Sequence, residues 1–262
     1  MLQEDRFARI QSLLSSLDRV RTEQLIQDLQ VSRETIRLDL LALESLGLVR
    51  RVHGGVARVA QEEPPFVQRQ TQRVSEKRAI AKAAVKRLQP GQLVFVDAGT
   101  TTAILAEEMC LMSHLTVVTN SITVALKLSS AQSGQAGKAG ANDLRVILLG
   151  GDINPEVPCT YGEVTLNEIR KYRADMALLS PVGISASDGV TFFNAHEASL
   201  ATAMIEQSAA LTVLADHSKI GTAGRYSVAA AAQTDAVLTN VNAGNEGALD
   251  ALREVGVEVV DV

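Results

Sequence analysis

Apolar residues recur at helical spacing three times within the first 46 residues. Ile10, Leu13, Leu14 and Leu17 form one stripe, Leu25, Ile26 and Leu29 a second, and Ile36, Leu40, Leu43 and Leu46 a third. The spacing predicts three amphipathic helices. Thr22 opens the second, and only Gln30 and Val31 separate it from Ser32. Ser32 is placed to cap the third helix, because its hydroxyl accepts from the free N–H groups of the first turn. Gly47 stands where that helix needs a left-handed terminal residue. Helix, helix, tight turn, helix is the helix-turn-helix arrangement. Residues 48–52 then read as a short strand, His53-Gly54-Gly55 as its turn and Val56-Ala57-Arg58 as the returning strand of a two-stranded wing.

Beyond residue 92 the pattern changes. Short apolar runs rich in β-branched residues stand at 93–96, 116–118, 145–149, 176–179, 211–214 and 236–238, with helical periodicity between most of them. Buried runs alternating with helices predict an α/β domain with a largely parallel sheet covered on both faces. In such sheets ligands bind beyond the carboxyl ends of the strands. A helix from about Ser75 places Ile80, Ala84, Val85 and Leu88 on one face and ends at Pro90-Gly91. The stretch 129–142, rich in Ser, Gly and Ala, reads as a flexible surface loop. Gln61-Glu62-Glu63-Pro64-Pro65 interrupts regular structure, since each proline lacks a donor and disfavours helix before it. The expected organisation is a small domain over 1–58, a linker over 59–74 and the α/β domain over 75–262.

Composition agrees with two globular domains. A chain of 262 residues with 46 % hydrophobic content sits near the length at which single cores divide. No apolar run reaches membrane-spanning length and no signal-peptide core opens the chain, so a cytoplasmic location and no membrane partner are expected. Cys110 and Cys159 share no metal-ligand spacing and read as ordinary reduced thiols. The net charge is −5, yet residues 1–58 hold nine arginines and no lysine against eight acids. Placement decides here. Arg33, Arg37, Arg50, Arg51 and Arg58 all fall on the third helix and the wing.

Those positions give a candidate nucleic-acid surface. Arg33, Glu34, Thr35 and Arg37 face outward at the start of the third helix. There an arginine pairs with guanine, a glutamate accepts from cytosine and a threonine touches a thymine methyl. Arg50, Arg51 and His53 are placed to hold phosphates, which fixes register without reading sequence, and Ser32 and Gly54 complete the candidate DNA-binding set. The bland alternative is a winged helix used for protein contacts. In the large domain, Asp97-Ala98-Gly99-Thr100-Thr101-Thr102 follows the first strand and opens a helix. Such a turn is an anion cradle, or equally a capped strand–helix junction with nothing bound. Asn120, Gly150-Gly151, Pro181-Val182-Gly183 and Asp216-His217-Ser218-Lys219 close four further strands. Small and polar residues converging from separate strand ends describe a polar pocket, with Lys219 supplying a cation.

VSRETIRLDL followed by LESLGLVRRVHGGV resembles the N-terminal signature of the DeoR family of bacterial transcriptional regulators. VDAGTTT, TVVTNS, LLGGDIN, GISASDGVT, HEASL and LADHSKIG extend that resemblance across the body. It implies a winged helix-turn-helix head and a sensor domain of the ribose-5-phosphate isomerase and CoA transferase fold. The implied partners are double-stranded operator DNA, a phosphorylated sugar or polyol effector, and further copies of the chain as a dimer or tetramer. Carried over by position, Asp97 with Gly99, Thr100, Thr101 and Thr102 holds the phosphate end. Asn120, Gly150 and Gly151 line the pocket, Lys219 neutralises charge and Glu197 accepts from sugar hydroxyls. The chain departs from the family pattern at Leu38, Ser180-Pro181, His217 and Asn240. The expected function is repression of a carbohydrate or polyol catabolic operon. The competing class is a sugar-phosphate isomerase-like enzyme, with acid and base drawn from Asp97, Glu197, Asp216 and His217. The absence of a nucleophile motif, metal spacing or dinucleotide fingerprint argues against catalysis, and no cofactor or metal is expected.

Overall fold

The computed structural model describes residues 3–16, 19–46, 48–52, 54–58, 63–133 and 143–262. The chain divides into two compact units, Met1–Glu62 and Glu63–Val262.

In the first unit, α1 (Gln3–Ser16), α2 (Thr22–Leu29) and α3 (Arg33–Ser45) surround a core of Ile10, Leu14, Leu25, Leu29, Ile36, Leu40 and Leu43. Ser32 caps α3, accepting from the Thr35 N–H at 3.1 Å. Thr22 does not cap α2: Arg21 holds that position without a side-chain bond and Thr22 is the first helical residue. Gln30 closes α2 in the left-handed region at φ 53°, with its side chain donating to the Gln27 carbonyl at 2.8 Å. The wing strands β2 (Val49–Val52) and β3 (Gly55–Arg58) turn through Gly54 at φ 79°. They gain a third strand that the pattern concealed, β1 (Arg19–Arg21), which pairs antiparallel with β3. Three residues reading Arg-Val-Arg carry no alternation long enough to see. A Cβ on Gly55 would lie 2.3 Å from the Val20 carbonyl oxygen, so only glycine lets these strands meet. Under the helices Arg6 grips the buried Asp39 with Nε and Nη2 at 2.6 and 2.9 Å. Leu17, Gly47 and His53 lie outside the described residues.

The second unit begins earlier than expected. Residues 63–74 were assigned to a linker, yet they carry α4 (Phe66–Thr71) and lead into α5 (Val74–Val85). Phe66 is buried against Val157, Cys159 and Ala98. The prolines before it end the linker rather than extend it, because Pro65 is the N-cap of α4. Then follow β4 (Leu93–Val96), α6 (Thr100–Met109), β5 (Leu115–Thr119), α7 (Ile122–Ser133) and β6 (Leu144–Leu148). Helix α7 runs five residues into the stretch expected as loop, whose remainder up to 142 lies outside the described residues. A small hairpin of β7 (Asp152–Ile153) and β8 (Thr160–Tyr161) leads through α8 (Glu163–Ile169) to β9 (Met176–Leu179). Next come β10 (Gly183–Ser185), β11 (Gly189–Phe192), α9 (Ala195–Glu206), β12 (Leu211–Leu214) and β13 (Tyr226–Ala229). Finally β14 (Ala236–Thr239), α10 (Glu246–Glu254) and β15 (Glu258–Asp261) complete the unit.

Among the described residues the main sheet has seven strands in the order β15-β14-β12-β9-β4-β5-β6, all parallel. Every apolar run expected as a strand is one of them. Successive residues of β4 point to opposite faces, as strand geometry requires. Val94 and Val96 pack with Ile80, Leu105 and Leu128 of α5, α6 and α7, while Phe95 packs in a second core with Leu200, Met204 and Leu249 of α9 and α10. β10, β11 and β13 form a separate antiparallel sheet. The chain enters the main sheet in β4, next to the central strand β9. It proceeds outward through β5 and β6, then returns to the other side of β4 with β9. The crevice at the carboxyl ends of β4 and β9 is therefore the topological switch point, where this class of sheet receives its ligands.

Candidate functional site

Asp97 ends β4 and is buried at that switch point. Its Oδ2 accepts the Ser180 N–H at 2.8 Å, which joins it to the loop after β9. Its Oδ1 has no partner among the described residues. Burial pushes the carboxyl up to about 6, against the pull of that hydrogen bond and of Lys219. Asn120 ends β5: Nδ2 donates to the Thr160 carbonyl at 3.1 Å, and Oδ1 is buried and unpartnered among the described residues. Glu197 lies in the first turn of α9, whose N-cap Asn194 accepts from the His196 N–H at 2.8 Å. Burial first, then the charges of Glu63 and Asp97, push Glu197 up to about 7. Asp97, Asn120 and Glu197 line one small cavity with Phe192, Leu200 and Met204. Three expected effector residues from three separate elements thus meet.

Lys219 closes a three-residue 3₁₀ turn and extends Nζ to the Pro181 carbonyl at 2.5 Å and to Ser180 Oγ at 3.4 Å. Ser180 also binds Asp97, and the Lys219 charge acts on both Asp97 and Glu197. Pro181, one of the departures from the family pattern, contributes its carbonyl here, which proline retains.

The threonines divide. Thr102 donates its hydroxyl to the Gly99 carbonyl at 3.0 Å and accepts the Gly99 N–H at 2.8 Å, so it closes the start of α6. Thr100 and Thr101 are buried, and the Thr101 hydroxyl has no partner among the described residues. Gly99 sits tightly against Ser180, 3.1 Å from where a Cβ would stand. Gly150 and Gly151 serve packing: Gly150 accepts the Thr165 hydroxyl at 2.7 Å, and a Cβ on Gly151 would lie 2.1 Å from that oxygen. They hold α8 to the sheet and do not line the cavity with Asp97.

Four charged residues outside the expected set belong to this region. Arg69 of α4 binds Glu63 at 2.7 Å, and Glu63 lies 3.8 Å from Lys219. Lys77 of α5 is buried, donates to the Arg69 carbonyl at 2.6 Å and is brought down to about 8 by burial. Arg73 stands 3.7 Å from Asp216. The one sequence signal was Phe66, a large apolar side chain amid Glu, Pro and Gln. His217 pairs with Glu76 at 2.8 Å beside Asp216, giving one cluster with metal-ligand atoms within 4.8 Å of one another. Arg73 and Lys77 already supply positive charge there, which disfavours a cation. His196 lies against the Tyr161 ring, with centroids 4.9 Å apart.

On the head, the outward residues of α3 pair among themselves. Arg37 holds Glu34 through Nε and Nη2 at 2.7–3.1 Å, Arg33 holds Glu23 at 2.7 Å, and Ser32 shares a 2.8 Å hydroxyl contact with Thr35. Leu38 is exposed on this helix, and Arg51 is exposed on β2 with its N–H donating to Glu44 at 3.0 Å. Arg50 lies in β2 and Gly54 at the wing's turn.

Residues 6–62 match the model of the DeoR-like helix-turn-helix domain, and residues 72–241 match that of the DeoR C-terminal sensor domain. The chain belongs to the DeoR family. Among DeoR relatives, the glycerol-3-phosphate regulon repressor of Escherichia coli (strain K12) is 32 % identical over 241 residues, covering 92 % of each chain. The HTH-type transcriptional repressor GlcR of Bacillus subtilis (strain 168) is 32 % identical over 262 residues, covering 99 % of this chain and 96 % of that one. Ribose 5-phosphate isomerase A from Methanocaldococcus jannaschii matches in fold with 14 % identity and a TM-score of 0.37, over 55 % of this chain and 52 % of its own. The N-terminal unit is thus the DeoR DNA-reading head and the C-terminal unit the DeoR sensor. No helix among the described residues is long and apolar enough to cross a membrane.

Proposed function

We propose that the chain is a cytoplasmic repressor of a carbohydrate or polyol catabolic operon, controlled by a phosphorylated sugar or polyol bound at the switch-point cavity. The observation that carries this reading is the convergence of Asp97, Asn120 and Glu197 on one cavity, with the Lys219 charge acting on both acids. Buried Asp97 Oδ1, Asn120 Oδ1 and Thr101 Oγ1 have hydrogen-bonding capacity left over, and unsatisfied buried polar atoms are costly unless a ligand or water completes them. Carboxylates and an amide suit hydroxyl groups, and a lysine suits a phosphate. The names of the repressors above support a metabolite of this class. Arg33, Glu34, Thr35 and Arg37 would read bases, and Ser32, Arg51 and the wing would hold phosphates.

The assembly is a dimer or larger symmetric oligomer, because two heads must meet two half-sites. The site binds without turnover: elevated Asp97 and Glu197 serve as hydroxyl partners rather than as an acid and a base. Fluorescence anisotropy of the full chain on its own promoter DNA tests the reading, using a panel of sugar and polyol phosphates and their unphosphorylated parents. Specific binding altered by one phosphorylated compound, and not by its parent, is expected. Specific binding indifferent to the whole panel overturns the sensor assignment, and conversion of a panel member that Glu197→Gln abolishes overturns the non-enzymatic one.

A further inference from the structure

The stretch from Glu63 to Thr71 is docked on the sensor at two points and closed on itself by a third contact. Phe66 is buried against Val157, Cys159 and Ala98, Lys77 donates to the Arg69 carbonyl at 2.6 Å, and Arg69 Nε donates to the Pro64 carbonyl at 2.8 Å. The outcome is that Glu63 Oε1 sits 2.7 Å from Arg69 Nη1 and 3.8 Å from Lys219 Nζ. Arg69, Lys219 and Glu63 are all largely withdrawn from water, with 13, 12 and 19 % of their side chains exposed. A carboxylate held between a guanidinium and an ammonium, beside a cavity for a polar ligand, occupies the position in which an incoming anion would find its charge partners.

We propose that Arg69 and Lys219 form the anion subsite of the sensor and that the Glu63 carboxylate fills it from within until the effector's anionic group displaces it. The inference rests on the effector reading above. Charge balance supports it. Glu63, Asp97 and Glu197 place three carboxylates around two cations, and Glu63 raises the protonation range of both other acids. A further anion entering between Arg69 and Lys219 meets the Glu63 carboxylate first, and Glu63 is the acid not built into a strand end or helix turn. Glu63 is also the first residue of the second compact unit. Its release therefore frees the point at which the chain enters the sensor, and ligand capture and linker state become a single event.

Isothermal titration calorimetry of the full chain with inorganic phosphate tests this. Glu63→Gln and Glu63→Ala are both expected to bind phosphate about tenfold more tightly than the native chain, and Arg69→Gln at least tenfold more weakly than Glu63→Gln. Two independent Glu63 variants guard against one that folds poorly. Phosphate affinity unchanged or weakened in both overturns the displacement, as does phosphate binding that Arg69→Gln leaves intact. Those results would leave the sensor reading standing, since that is decided separately by the promoter titration with phosphorylated compounds.

Discussion

The backbone N–H of Ser180 donates to Oδ2 of Asp97 at 2.8 Å, so one charged hydrogen bond joins the loops that end β4 and β9. Asp97→Ala leaves that buried donor without an acceptor. A loss of about 1–3 kcal/mol is expected from urea unfolding of the full chain, with less for Asp97→Asn, which keeps an acceptor. Both substitutions should weaken effector binding.

Glu197 and Asp97 set an unusual pH dependence. Their carboxyls are pushed up to about 7 and about 6, above the ordinary 4.5 and 3.8 that they regain on unfolding. Between roughly pH 5 and 7 the folded state therefore binds more protons than the unfolded chain, and its stability falls as pH rises, levelling above 7. Glu63, Arg69, Asp97 and Lys219 are the charges that face Glu197. Urea midpoints from pH 5 to 8 should show this slope, and Glu197→Gln should flatten it. An equal slope in that variant would remove Glu197 from the effect.

In the proposed reading, Arg37 exchanges its bond to Glu34 for a base edge when the head meets DNA. Arg37→Ala should cost about 1–3 kcal/mol on the operator and relax specificity, whereas Arg51→Ala should weaken all sequences alike and lower the salt slope by about 1. Anisotropy titrations at several salt concentrations on specific and scrambled duplexes separate the two. Matching sequence-independent losses would place Arg37 on phosphate.

Gly55 admits no side chain against the Val20 carbonyl. Gly55→Ala should destabilise the head by about 1–3 kcal/mol, the usual scale of overpacking. Operator binding should fall while phosphate binding by the sensor persists. Calorimetric unfolding of the full chain, with and without phosphate, distinguishes a local from a global effect.

Strands buried on both faces were legible because burial leaves continuous apolar runs, as at Leu93–Val96 and Leu211–Leu214. Glu197 came only from the resemblance to the family, whereas Asp97, Asn120 and Lys219 were legible because strand ends converge by topology. Glu63 and Arg69 were not, since a side chain's destination across a docked segment leaves no periodic trace. Thr102 and the Gly150-Gly151 pair show the converse. Residues that suit a phosphate cradle equally suit a helix cap or a close helix contact, and here the local use prevails. β15, two valines between Glu258 and Asp261 at the sheet's margin, lacks the apolar run that marks its neighbours.

The sheet is filled from near its middle, so β4 waits until β9, some eighty residues later, to acquire its second neighbour. The cavity beyond these strands is lined by Asp97 from the early half and Glu197 from the late half, so the effector proposed for it would staple segments that leave the ribosome at different times. Ligand that binds only the folded form raises its stability in proportion to the logarithm of concentration. An effector bound there, as proposed, would thereby also lengthen the time each copy escapes proteolysis, tying the supply of the switch to the supply of what it senses.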